Sequence, residues 1–471
     1  MQKPTTTLFS LRVKLKTLHI MLIPLMLSAC SFQQYQAKPI DAQANLAKLA
    51  EKDPNSPTFQ AFLIAHGYKS DQLPVQAWGL EELSYCALFF HPSLDLVKAK
   101  SQAAALSVAT TAGSAIPSLN ANLARSNDPD PVKKPYALGL SIDLPLDIAN
   151  KKEIRVDNAK HLAEIAQLQT AKTAWELRSK LAQTWLDYQA KLHQIRLLSK
   201  EQAAHQAIVA IYKKRVTLGA ASNVELSRAN LQLQANAAML HQAQQQSATL
   251  YNELASQAGL PLTQFNKLTL KSDLGQQSNQ DWPLAELQKN ALLNRLDLRI
   301  ALLRYASMES KLKLEIANQY PDLVISPGYA YEFGDSVWSL GLSGLLSLLH
   351  KNKLAIAEAS QLREVEAAQF EVLQSQIMAD TAVAHAKLSE ARTALTKQKS
   401  LLNEQQLQEK RMASLLAAGQ IDRLAYTLAK LETVLAEKNL ATAQHQYNDA
   451  IRILENTLEQ PLSSAGVKYE S

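Results

Sequence analysis

Residues 136–145 read YALGLSIDLP. Tyr136, Leu138, Leu140, Ile142 and Leu144 alternate with Ala137, Gly139, Ser141 and Asp143, so an apolar face opposes a small or polar one at period two. This predicts a strand, because successive side chains of an extended backbone point to opposite sides. Upstream, residues 118–126 (SLNANLARS) make a second strand candidate, and the Pro- and Asp-rich residues 127–134 between them are loop chemistry. Downstream, Asn150-Lys151 opens a run to Leu218 with no Pro and no Gly. If continuous at 1.5 Å per residue, that helix is on the order of 100 Å long. Leu218-Gly219-Ala220-Ala221-Ser222 breaks it, and a return helix is expected over 224–257, ending before Gly259-Leu260-Pro261.

The plan then repeats. Residues 94–157 and 296–359 match at an offset of about 202 positions. Both open on Leu-Asp-Leu (94–96, 296–298), pass through Pro-x-Leu at Pro117 and Pro321, and enter a long helix through Asn-Lys at Asn150 and Asn352. The second copy predicts strands at 322–331 and 336–345, where Trp338, Leu340 and Leu342 alternate with Ser339, Gly341 and Ser343. Helices are expected over 353–416 and 421–459, broken by Gly419. An internal repeat of this size argues for one composite architecture: a first repeat over 78–260, a link over 261–290, a second repeat over 291–460 and a tail over 461–471.

Composition excludes several classes. Lys and Arg exceed Asp and Glu by 6, but residues 1–29 hold four of the basic residues and no acid, leaving 45 against 43. No basic patch asks for nucleic acid. Residues 1–29 read as an export signal, with a basic stretch ending at Lys16, an apolar core at Ile20–Leu27 and Leu27-Ser28-Ala29-Cys30. That ending resembles a bacterial lipobox, with Cys30 as the lipidated residue, and Ser31 after it resembles the outer-membrane sorting signal of Gram-negative lipoproteins. Residues 30–77 are polar and interrupted by Pro, and read as an extended or partly helical arm. Cys86, the other cysteine, reads as a buried apolar side chain. The ten His are scattered without ligand spacing, and neither a phosphate-binding Gly loop nor a catalytic constellation is present. The sequence therefore predicts no enzyme, no metal site and no cofactor beyond the lipid on Cys30.

Paired strands of about ten residues with one apolar face suit a transmembrane β-barrel. Four cannot close one of useful bore, whereas three chains would supply twelve and leave no open edge in lipid. The ordered set of lipobox, duplicated strand–helix plan and tip segments (Arg215-Val216-Thr217-Leu218-Gly219 and Leu415-Leu416-Ala417-Ala418-Gly419) resembles the TolC family of outer-membrane efflux proteins, specifically its lipid-anchored members. The resemblance spans roughly residues 78–462. It implies a mainly α fold with a small β-barrel portion, and a homotrimer with a 12-stranded barrel on an α-helical tunnel. The expected location is the bacterial outer membrane, with a long periplasmic portion. A periplasmic adaptor and an inner-membrane pump, of the RND type, are the implied partners.

The resemblance also implies a passive conduit for small solutes such as drugs or metal ions. A channel for type I protein secretion shares the fold and stays open as an alternative. A periplasmic lipoprotein adaptor or coiled-coil structural protein is the rival of another class, and two hairpins with two strand pairs argue against it. Ser141, Asp143, Ser339, Gly341 and Ser343 are the lumen candidates. The family often places an acid six positions after each tip Gly. Glu225 stands there in the first repeat, followed by Arg228, whereas the second repeat has Ala425, with Asp422 and Arg423 nearer the tip. A three-fold ring of Glu225 would favour cations. Leu218, Gly219, Ala220, Ser222, Ala418, Gly419 and Ile421 are the candidate adaptor contacts.

Overall fold

The structure, a computed structural model, describes residues 33–113, 115–127, 134–272, 282–344 and 351–462. The expected signal segment, Cys30 and most of the C-terminal tail lie outside the described residues, as does position 345 at the end of the fourth strand candidate. The described residues fall into two units. Residues 33–51 carry one helix, α1 (Ala42–Ala50), whose start is capped by the Asp41 carboxylate accepting from the Gln43 and Ala44 amides. The second unit begins at Lys52 and holds both repeats.

In chain order that unit contains α2 (Pro57–Ala65), α3 (Leu80–Phe90), α4 (Pro92–Ala112), β1 (Ser118–Arg125), β2 (Tyr136–Leu146), α5 (Lys151–Thr217), α6 (Asn223–Gln257) and the short α7 (Leu262–Phe265). The second repeat follows with α8 (Leu284–Asn294), α9 (Leu296–Ala317), β3 (Leu323–Glu332), β4 (Asp335–Ser343), α10 (Lys353–Ala417) and α11 (Arg423–Leu458).

Each long helix is entered the same way. Asn150 (φ 52°) and Asn352 (φ 44°) are left-handed, a conformation Asn tolerates better than most residues, and each turns the chain from sheet to helix. Asp147 accepts from the Lys151 and Lys152 amides, satisfying donors at the head of α5. Each long helix also ends the same way. Gly219 (φ 70°) and Gly419 (φ 71°) form Schellman turns, with the Ala220 amide on the Arg215 carbonyl and the Gln420 amide on the Leu415 carbonyl.

The four strands form one antiparallel sheet in the order β1-β2-β3-β4. The central β2·β3 pairing joins the two repeats, and β1 and β4 are the outer strands. The helices continue the same logic. α6 returns along α5, α11 returns along α10, and α5 lies against α11, so the inter-repeat seam runs from sheet to tip. Polar ties mark the seam. Ser179 Oγ donates to Asn456 Oδ1 at 3.0 Å, and Arg452 donates to the Ser179 carbonyl at 2.8 Å. Nearer the tip Lys200 pairs with Glu437 at 2.8 Å, and Lys438 with Glu201 at 2.5 Å.

The apolar cores sit where the return helices stop. In the first repeat α3 packs its Leu83, Cys86 and Phe90 against Leu181 and Trp185 of α5 and Leu254 of α6, with Phe59, Leu63 and Trp78 inserted. Residues 52–77, read from sequence as part of an arm, thus contribute Phe59 and Leu63 to this core. Trp78 also exchanges backbone hydrogen bonds with the inter-repeat link, donating to Thr269 and accepting from Lys271. In the second repeat, Leu287 and Ala291 of α8 pack on Ile377, Leu388, Tyr447 and Leu454. Among the described residues no helix is long and apolar enough to cross a membrane.

Candidate channel lining and helical tip

The sheet registers place each candidate lining residue. Leu119 pairs with Ile142, Leu140 with Tyr329, and Tyr329 with Trp338. Alternation therefore puts Leu119, Leu123, the even-numbered apolar residues of β2, Ile325, Tyr329, Trp338, Leu340 and Leu342 on one face. That face is open, with Trp338 81% and Leu340 75% exposed. The opposite face carries all five lumen candidates. Ser141 lies across from Gly328 and Gly328 across from Ser339, while Gly341 lies across from Ser326 and Ser343 across from Val324. Gly328 is needed for the close approach, since a Cβ there would come 2.7 Å from Ser339 Oγ.

Asp143 is the centre of a polar cluster that the sequence did not reveal. Its carboxylate accepts from Asn120 Nδ2 at 2.7 Å, Ser326 Oγ at 2.6 Å and Ser118 Oγ at 3.3 Å. Three strands from both repeats thus converge on one charge. Where the sheet meets the helices, the buried Lys151 ammonium donates to the Tyr320 carbonyl at 2.9 Å and to Asp322 at 2.7 Å. This again ties the first repeat to the second.

At the other end lie the tips. Glu225 is the third residue of α6, and Ser222 is its N-cap. The Ser222 amide and hydroxyl both donate to Glu225 Oε2, at 2.7 and 2.9 Å, and Ser222 Oγ accepts from the Glu225 amide. This reciprocal capping box holds the Glu225 carboxyl below the usual carboxylate range. Its hydrogen bonds therefore go back to its own helix start, not to Arg228 one turn on. In the second repeat Asp422 is the N-cap of α11, accepting from the Ala425 amide at 2.8 Å, and it also pairs with Arg215. The Ala425 amide and the Arg215 guanidinium hold the Asp422 carboxyl low. The cap explains why α11 begins at Arg423, two residues later than the pattern suggested, with Ile421 left in the turn.

Arg215–Asp422 is the tie that joins the two tips within one chain, 207 positions apart. Arg215 belongs to the tip segment visible in the sequence, but no local signal names its partner. Leu218, Gly219, Ala220 and Ser222 are exposed in the first turn, as are Ala418 and Gly419 in the second, and nothing lies within 4 Å of where a Cβ would sit on either Gly. Beneath the tips Ile208, Ala229 and Leu424 form a small apolar cluster shared by both hairpins.

Known proteins share this arrangement. Residues 83–260 match the family described as outer membrane efflux protein. The chain superposes on the outer membrane protein VceC from Vibrio cholerae with a TM-score of 0.66 and 16% identity, covering 82% of this chain and 97% of that one. It superposes on a membrane protein from Pseudomonas aeruginosa with a TM-score of 0.66 and 18% identity, covering 81% and 90%. For the CmeC outer membrane channel of Campylobacter jejuni the values are 0.65 and 14%, covering 81% and 85%. No curated protein sequence matches the chain. At these identities the superpositions establish the fold alone.

Proposed function

We infer that this chain, whose residues 83–260 match the family described as outer membrane efflux protein, acts as the outer-membrane conduit of a tripartite efflux machine. Three copies close a twelve-stranded barrel in the outer membrane, and their helical hairpins form a tunnel below it. An adaptor engages the tips, an inner-membrane pump supplies the energy, and solutes pass outward without chemistry in the conduit. A lipid on Cys30 anchors each copy. The observation that carries this reading is the sheet itself. It has one open apolar face, one small and polar face, and two outer strands in a single chain. Closure with neighbouring copies satisfies those strands, puts the apolar face toward lipid and leaves Ser141, Asp143, Ser339, Gly341 and Ser343 toward water.

The tip then serves as the gate. The Arg215–Asp422 tie restrains the two hairpins of one copy against spreading, and Glu225 keeps the first tip turn in shape. Purified protein in lipid is expected to run as a heat-modifiable trimer and to conduct ions. Arg215→Gln is expected to raise the conductance by loosening the tips. A water-soluble monomer with no conductance would overturn the reading. Equal conductance for wild type and Arg215→Gln would remove the gate assignment alone.

A further inference from the structure

The two tips carry an excess of positive charge. Residues 209–229 and 409–429, ten positions on either side of each tip Gly, carry seven basic residues and three acidic ones, a net +4. The chain after residue 29 has a net +2, so everything else in it is net negative. Lys213, Lys214 and Arg228 in the first tip, and Lys410, Arg411 and Arg423 in the second, are all exposed. Two of the three acids are already engaged. The Glu225 carboxylate is bound to Ser222, and Asp422 is bound to Arg215 and to its own helix start. The Asp422 interaction also brings the two cationic tips to one place.

From this distribution we propose that the entrance of the conduit is cationic and that the channel prefers anionic solutes. The proposal rests on the trimeric reading above, and it reverses the cation preference that a ring of Glu225 would give. Three copies bring a net +12 to one ring of tips. A helix with its side chains is about 10 Å across, and the Debye length at physiological salt is about 8 Å. Cations on the side of a tip helix that faces the opening therefore act across it, whereas those on the far side, more than a Debye length away, are largely screened. A constriction lined by one sign of charge concentrates the opposite ion. The counterweight is three carboxylates per copy on the polar face of the sheet, Asp143, Glu332 and Asp335. A barrel widens as strands are added, so nine carboxylates spread around twelve strands act on a wider bore than the tips do.

The test is the reversal potential of the purified trimer in a planar bilayer under a potassium chloride gradient near 0.1 M. Wild type is expected to favour chloride, with the preference fading toward 1 M salt as screening shortens the field. Arg228→Gln combined with Arg423→Gln is expected to move the reversal potential toward potassium, and Asp143→Asn to move it further toward chloride. Lys213→Gln with Lys410→Gln forms an independent pair, should the first alter assembly. A potassium-selective wild type overturns the inference. So does a reversal potential indifferent to both pairs, which would place the cations on the outside of the ring, where they fit an acidic partner hairpin. Absence of any current would instead sink the conduit reading, so the two failures are distinguishable.

Discussion

The two repeats share their strand and helix plan, yet they end in opposite ways. In the first, α6 stops at Gly259, left-handed at φ 73°, with the Leu260 amide on the Ala255 carbonyl. A Cβ at Gly259 would lie 2.8 Å from His91 N and Phe90 C, so the backbone of the α3–α4 junction fills the space a side chain would need. In the second, 200 positions later, Glu459 adopts the same left-handed conformation (φ 50°), and its side chain becomes part of the joint. Its carboxylate accepts from the Leu296 amide at 2.7 Å, while Arg295 donates to the Thr457 carbonyl at 2.7 Å and grips Asp297 with two hydrogen bonds. One backbone turn thus serves a close backbone contact in one repeat and an electrostatic clasp in the other. Around the first, the core is aromatic and recruits residues 52–78; around the second, it is built mainly from Leu, Ile and Ala.

The largest expected effect breaks the first joint. Gly259→Ala adds left-handed strain and an overlap with backbone that cannot move aside, on the order of 3 kcal/mol together. It is expected to lower the thermal midpoint of the helical signal clearly. Glu459→Gly, by contrast, sheds strain and loses one cap, terms of about 1 kcal/mol each with opposite sign, and is expected to leave the midpoint nearly unchanged. Equal sensitivity at both positions would dissolve the distinction between the joints.

A smaller effect separates the tips. Ser222→Ala removes the N-cap and half of the capping box, costing about 1 kcal/mol at the start of α6. Asp422→Ala removes a cap and also frees Arg215. Protease nicking at the tip is expected to rise for both variants, and more for Asp422→Ala. If the two are nicked alike, Arg215–Asp422 contributes nothing to holding the tips together.

The smallest effect is a pH dependence. Burial holds the Glu459 carboxyl above its ordinary 4.5, against the opposing pull of the Leu296 amide and Arg295. A carboxyl raised in the folded state favours folding most when protonated. That contribution is complete below the ordinary value and is lost as pH rises through the raised one. Glu459→Gln is therefore expected to gain stability relative to wild type between acidic and neutral pH, read from melting curves at several pH values. A constant difference across that range would assign Glu459 no titrating role.

Much of the architecture was legible because it is written in local periods. The alternation at 136–145 separates the two faces of β2, and the four strands run within one or two positions of their expected limits. The tip glycines mark both turns because only a residue free to be left-handed ends a helix there without strain. The alternating faces of the strands were legible, and the contacts across them were not. Glu225 was visible by its spacing from Gly219, but its capping box with Ser222 gives it a local partner that a reading based on charge alone overlooks.

What the sequence by itself determined is where the chain extends, coils and turns, and that it does so twice, since those properties depend on a few neighbouring residues and on alternation. Only the tertiary structure decided that β2 pairs with β3, that Asn120 and Ser326 meet at Asp143, that residues 52–78 complete a core, and that Arg215 reaches Asp422. Most of these contacts join residues far apart in the chain, up to 207 positions in the last case. Their physical basis is packing and charge neutralisation between elements already formed, which no local period encodes.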